Sequence, residues 1–146
     1  MRRTDPVRSI FITGAAAGIG RAVAERFAAA GWFVGAFDVD EAGVQALRQQ
    51  LGEAHCHAGR LDVSQPGDWA VQLDAFAKAA GGHLDVLVNN AGIAVTSLFE
   101  EADLSRHHRL IDINIKGVVN GCHAALPYLR RTPGARVVNL CSASAL

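Results

Sequence analysis

The chain has 146 residues, half of them hydrophobic, which suits one packed domain and excludes wholesale disorder. Its formal net charge is zero, which speaks against a nucleic-acid binder. No run of about 18 apolar residues occurs, so no membrane-spanning helix is expected.

Residues 8–13 (RSIFIT) form a short apolar run before glycines and read as a buried strand. Ile19, Val23 and Phe27 recur every four residues and predict one helical face, with Gly31 to end the helix. Residues 32–37 (WFVGAF) read as a second strand. Asp40 can cap a helix carrying Val44, Leu47 and Leu51, with Gly52 after it. A weaker third strand is expected within 55–61. Ser64, with Pro66 just inside, predicts the next helix start, and Trp69, Leu73, Phe76 and Ala80 its buried stripe before Gly81 and Gly82. Residues 84–88 (LDVLV) read as a fourth strand. A long helix is expected over about 105–130, carrying Leu110, Ile113, Gly117 and Gly121. Pro133 and Gly134 turn the chain into a fifth strand, 136–141 (RVVNLC).

Strands alternating with long helical patterns imply βαβ units, right-handed crossovers and a parallel sheet. The expectation is a single α/β domain over 1–146, of the Rossmann, doubly wound dinucleotide-binding type.

Gly14, Gly18 and Gly20 stand between the first strand and the first helix. A pyrophosphate needs close approach to backbone N–H groups at a helix N-terminus, where a side chain would block it. Three residues separate Gly14 from Gly18, where the common GxGxxG fingerprint has one. No GK[ST] follows, so this is not a P-loop. Asp38 lies 18 residues after Gly20 and closes the second strand. A carboxylate there can accept from both adenosine ribose hydroxyls and would repel a 2′-phosphate, and no basic residue adjoins it at Val39. NAD(H) is therefore expected over NADP(H).

Other features read as structural. His55, Cys56 and His57 have no supporting ligand pair, so no metal site is expected. Ser142 lacks a G-x-S-x-G turn and is not read as a hydrolase nucleophile. The arginine pairs Arg2/Arg3, Arg106/Arg109 and Arg130/Arg131 read as solvated surface. Three cysteines without CxxC spacing, and no apolar run after the charged start, point to reduced thiols and a cytoplasmic protein.

With NNAG at 89–92 after the fourth strand, the Thr13–Gly20 motif closely resembles the short-chain dehydrogenase/reductase family over the whole chain. The resemblance implies that Gly14, Ala17, Gly18, Ile19 and Gly20 belong to the pyrophosphate and cofactor turn. It implies that Asp38 binds ribose and that Asp62 with Val63 meets the adenine edge. Asn90, Ala91 and Gly92 would lie beside the adenosine ribose, and Asn89 and Asn90 would brace the sheet. Asn114 would hold a water in a proton relay, and Ser142 would hydrogen-bond the substrate oxygen. An alcohol or ketone substrate and a homodimer or homotetramer are implied, with the 105–130 helix as a contact. Residues 96–101 and 143–146 would border the substrate.

The family pattern also has a tyrosine and a lysine, as YxxxK, beyond the serine. Here four residues follow Ser142, Tyr128 precedes the fifth strand, and the lysines are Lys78 and Lys116. The expectation is therefore an amino-terminal piece, with about five of the family's seven strands, that does not turn over substrate by itself. The alternative is a non-catalytic dinucleotide-binding or interaction module. A methyltransferase is a third reading, opposed by NNAG and by the three-residue glycine gap.

Overall fold

The computed structural model describes residues 7–142. Five parallel strands run in the order β3-β2-β1-β4-β5. They are β1 (Ser9–Thr13), β2 (Phe33–Asp38), β3 (Cys56–Arg60), β4 (Val86–Asn89) and β5 (Arg136–Asn139). Between them lie α1 (Gly18–Ala29), α2 (Glu41–Leu51), α3 (Pro66–Ala79), α4 (Leu104–Ile111) and α5 (Gly117–Arg131). This is the expected α/β, Rossmann-like parallel sheet.

Alternation along β1 sends Ile10 and Ile12 to one face and Phe11 to the other. Both faces are covered, so all three side chains are fully buried. Ile10 and Ile12 join Val34, Ala36, Val44 and Leu47 under α1 and α2. Phe11 joins Phe37, Trp69, Leu73 and Phe76 under α3 and α5. There the Phe11 and Phe37 rings stack at 4.0 Å, and Phe76 meets Phe11 edge-on at 5.4 Å. β2 has no side chain at Gly35, where a Cβ would lie 2.6 Å from the Phe76 ring.

Three expectations need correction. Ile19 is 64% exposed and not on the buried stripe of α1, which runs through Gly20, Val23, Ala24 and Phe27 instead. Helix α3 is capped at Gln65 rather than Ser64, whose hydroxyl turns back to the Asp62 carboxylate at 2.7 Å. The long helix is not uniform. Residues Asp112–Lys116 between α4 and α5 form a π segment.

The remaining ends follow local chemistry. Asp40 caps α2 by accepting from the Gly43 N–H at 3.0 Å, and Gly52 leaves the helix at φ 92°. Pro66 opens α3. Strand β5 is shorter than expected, so Leu140 and Cys141 fall beyond it, and all four of its residues are exposed. No helix among the described residues is long and apolar enough to cross a membrane.

The chain runs outward from β1 to β2 and β3, then crosses back to β4 and β5. The order therefore reverses between β1 and β4, and a crevice opens there at the carboxyl ends of the strands.

Candidate cofactor and catalytic cleft

A cleft of about 440 Å³ occupies this switch point. Four strand ends contribute to it: Gly14, Ala17 and Gly18 after β1, Asp38 and Val39 at β2, Leu61, Asp62 and Val63 after β3, and Asn90, Ala91 and Gly92 after β4. Arg109 and Ile113 enter from the helix above. A second hollow of about 220 Å³ shares Asn90, Ala91 and Gly92 with it. That hollow adds Asn114, Val118 and Ser142. The residues singled out for cofactor binding and those singled out for chemistry thus meet on the NNAG turn. Ile19 and Gly20 do not line either hollow.

The glycine turn is fixed by its surroundings. Gly14 has φ 66°, and a Cβ on it would lie 2.9 Å from the Ala91 backbone. Gly20 is buried, and a Cβ there would strike the Gly14 carbonyl. Gly18 has φ 55° and faces open space. Ala17 stands at the N-cap position of α1 but supplies no capping hydrogen bond, and the first turn carries no acidic residue. Unpaired N–H groups at that N-terminus therefore face the cleft with partial positive charge. An anionic pyrophosphate fits such a cradle.

Across the cleft, Asp38 Oδ2 accepts from the Ala16 N–H at 3.1 Å and Oδ1 from the Asp40 N–H at 3.0 Å. Both oxygens are thereby aimed, and each keeps a further acceptor site. Asp62 Oδ1 is held by the Ser64 N–H at 3.0 Å and by the Ser64 hydroxyl. The Val63 carbonyl accepts from Trp69 Nε1 and Asn120 Nδ2, both at 3.0 Å.

The NNAG turn is tied to both neighbours of β4. Asn89 Nδ2 donates to Asn139 Oδ1 at 2.8 Å, towards β5. Asn90 Nδ2 donates to the carbonyls of Thr13 and Gly14 at 2.9 and 3.1 Å, towards β1. The Thr13 hydroxyl accepts from the N–H groups of Asn90 and Ala91. Thr13 was part of the motif, yet sequence reading gave it no role of its own. That it binds two successive amides across the sheet requires the β1–β4 register.

Asn114 sits in the π segment. Its Nδ2 donates to the Ile93 carbonyl at 2.8 Å, and its Oδ1 accepts from the Ile93 N–H at 2.9 Å. Both ends of the side-chain amide are engaged on the backbone of one residue, Ile93. Ser142, just beyond β5, is exposed at the rim of the smaller hollow. Residues 2, 3 and 143–146 lie outside the described residues.

Away from the cleft, burial pushes the Cys56 thiol up to about 11, against the pull of the nearby Arg48 cation. Burial, and secondarily Arg48, holds the His57 imidazole below its ordinary range. Among the described residues no three His, Cys, Asp or Glu side chains gather as a metal site.

A family model described as short chain dehydrogenase matches residues 8–146. The chain is 40% identical to sulfoacetaldehyde reductase 2 of Chromohalobacter salexigens over 134 residues, 90% of this chain and 53% of that one. It is 35% identical to D-threitol dehydrogenase of Mycolicibacterium smegmatis, covering 92% of this chain and 52% of that protein. Its backbone superposes on a short-chain dehydrogenase/reductase of Burkholderia phymatum in complex with NAD, with TM-score 0.87 and 30% identity. That match covers 93% of this chain and 49% of the other. The chain spans about half the length of each of these three proteins.

Proposed function

Because the chain belongs to the short-chain dehydrogenase family, we propose that it carries the cofactor half of an NAD(H)-dependent oxidoreductase acting on an alcohol or ketone. The observation that carries this reading is the cleft itself. An uncapped helix N-terminus with open space at Gly18 lies across from a carboxylate aimed by two backbone amides.

In this reading the N–H groups at Gly18 and its neighbours hold the pyrophosphate, beside Gly14 and Ala17. Asp38 accepts from the adenosine ribose hydroxyls. Asp62 and Val63 border the adenine, and Asn90, Ala91 and Gly92 the ribose. When bound, NAD(H) supplies the hydride acceptor or donor. Ser142 would place and polarise the substrate oxygen by a hydrogen bond. The Asn114 side chain spends one donor and one acceptor on Ile93, which fixes the residue where its main chain and its remaining amide hydrogen and lone pair would meet the relay water.

General acid–base catalysis is worth about 10²–10⁴-fold, and no YxxxK follows Ser142 among the 146 residues. The chain by itself is therefore proposed to bind cofactor without family-like turnover. The same reading includes a reducing, cytoplasmic setting and self-association through the helix over 104–131.

The test is calorimetric titration of the protein with NAD(H) and NADP(H), beside an assay of alcohol oxidation. Tighter binding of NAD(H) and no appreciable turnover are expected. Tighter NADP(H) binding would overturn the cofactor assignment, and turnover at family-like rates the proposed inactivity. A folded protein that binds neither dinucleotide would be an interaction module.

A further inference from the structure

The cleft at the switch point does not end at Asp62. A further hollow of about 540 Å³ lies beyond it, towards α4. The two share Asp62, Arg109 and Ile113, so these side chains form the partition between them. Arg109 is exposed, and its guanidinium makes no ion pair or hydrogen bond among the described residues. Arg109 in α4 and Ile113 in the π segment line the same wall of both hollows.

Resting on the reading above, the geometry points to Arg109 as the clamp on the adenine ring at the outer end of the cleft. The slot beneath it combines apolar Val39, Leu61 and Ile113 with the carboxylates of Asp38 and Asp62. A flat, neutral heteroaromatic ring suits that lining. A phosphate does not, because two carboxylates would repel it. A guanidinium lies flat on such a ring and combines stacking with cation–π attraction. An ammonium has no plane to offer, so Arg109→Lys is not a conservative change here.

The experiment compares the wild-type protein with Arg109→Ala and Arg109→Lys by calorimetry. The ligands are NAD, NADP, ADP-ribose and nicotinamide mononucleotide. Arg109→Ala is expected to weaken NAD and ADP-ribose alike, roughly tenfold, and to leave the mononucleotide unchanged. Arg109→Lys is expected to recover only part of the loss. Melting curves should not move, since the side chain is exposed and unpaired.

Unchanged NAD binding in Arg109→Ala would overturn the assignment while leaving the cofactor reading intact. So would equal loss of the mononucleotide, or full rescue by lysine. A loss confined to NADP would make Arg109 a phosphate receptor instead. A folded wild-type protein that fails to bind NAD would remove the cofactor reading itself, and this assignment with it.

Discussion

Three glycines within seven residues perform three different tasks, and two of them can be separated by substitution. Gly20 is helical and buried against the Gly14 carbonyl, with Asn90 Nδ2 2.5 Å from where its Cβ would stand. Neither neighbour can yield easily, because Asn90 also holds the carbonyls of Thr13 and Gly14. Gly20→Ala should therefore lower stability by about 1–3 kcal/mol, measured by urea unfolding. Gly18 has open space around it, so an alanine there meets no clash. Its positive φ costs about 1–2 kcal/mol, and its methyl group would project into the approach to the α1 N-terminus. Gly18→Ala should thus fold but bind NAD at least tenfold more weakly; undiminished binding would remove close approach as the reason for Gly18. The Gly14-x₃-Gly18-x-Gly20 spacing was legible in the sequence. Which glycine serves packing and which serves access was not, because Asn90 lies 70 residues further along the chain and only folding brings it to Gly20.

Among elements, the strands and the capped helices could be read because their signals are local. Asp40 and Pro66 act on their own helix ends, and the alternating burial of β1 follows from two covered faces. The helix over 104–131 shows what such reading misses. Its apolar spacing predicts a continuous helix, and the backbone angles at Ile111, Asp112 and Gly117 are indeed helical throughout. The π segment at Asp112–Lys116 has no residue signature, since widening a helix by one residue per turn changes spacing and not composition. Yet that segment holds Asn114, and Asn114 holds the loop after β4 by two hydrogen bonds to Ile93. A net hydrogen bond contributes about 0.5–1.5 kcal/mol. Asn114→Ala should therefore cost about 1–3 kcal/mol locally and speed amide exchange at Ile93, with little change at Leu87 in the sheet core. Unchanged exchange at Ile93 would mean that the loop holds its position without the helix.

At the scale of the whole molecule, the two sides of the cleft rest on unequal foundations. The side proposed to hold the cofactor rests mainly on β1, β2 and β4, whose central residues are buried, with apolar layers above and below. The Ser142 side rests on β5. That strand pairs only with β4 among the described residues, and Val137 and Val138, which point to opposite faces, are 41% and 44% exposed. Among the described residues β5 is thus an apolar edge with open backbone groups, a template for association. The protein should therefore self-associate with rising concentration, as read by light scattering on a size-exclusion column. Val138→Lys should shift it towards monomer by placing a charge on that edge. The same variant should keep NAD affinity within about twofold, because sites more than about 7–10 Å apart with no shared partners act nearly independently and Asp38 belongs to β2, beyond β1 and β4. Loss of NAD binding in Val138→Lys would show that the two sides of the cleft are coupled through the sheet. Retention would show that the half that binds cofactor stands on its own strands, whatever happens at the strand that carries Ser142.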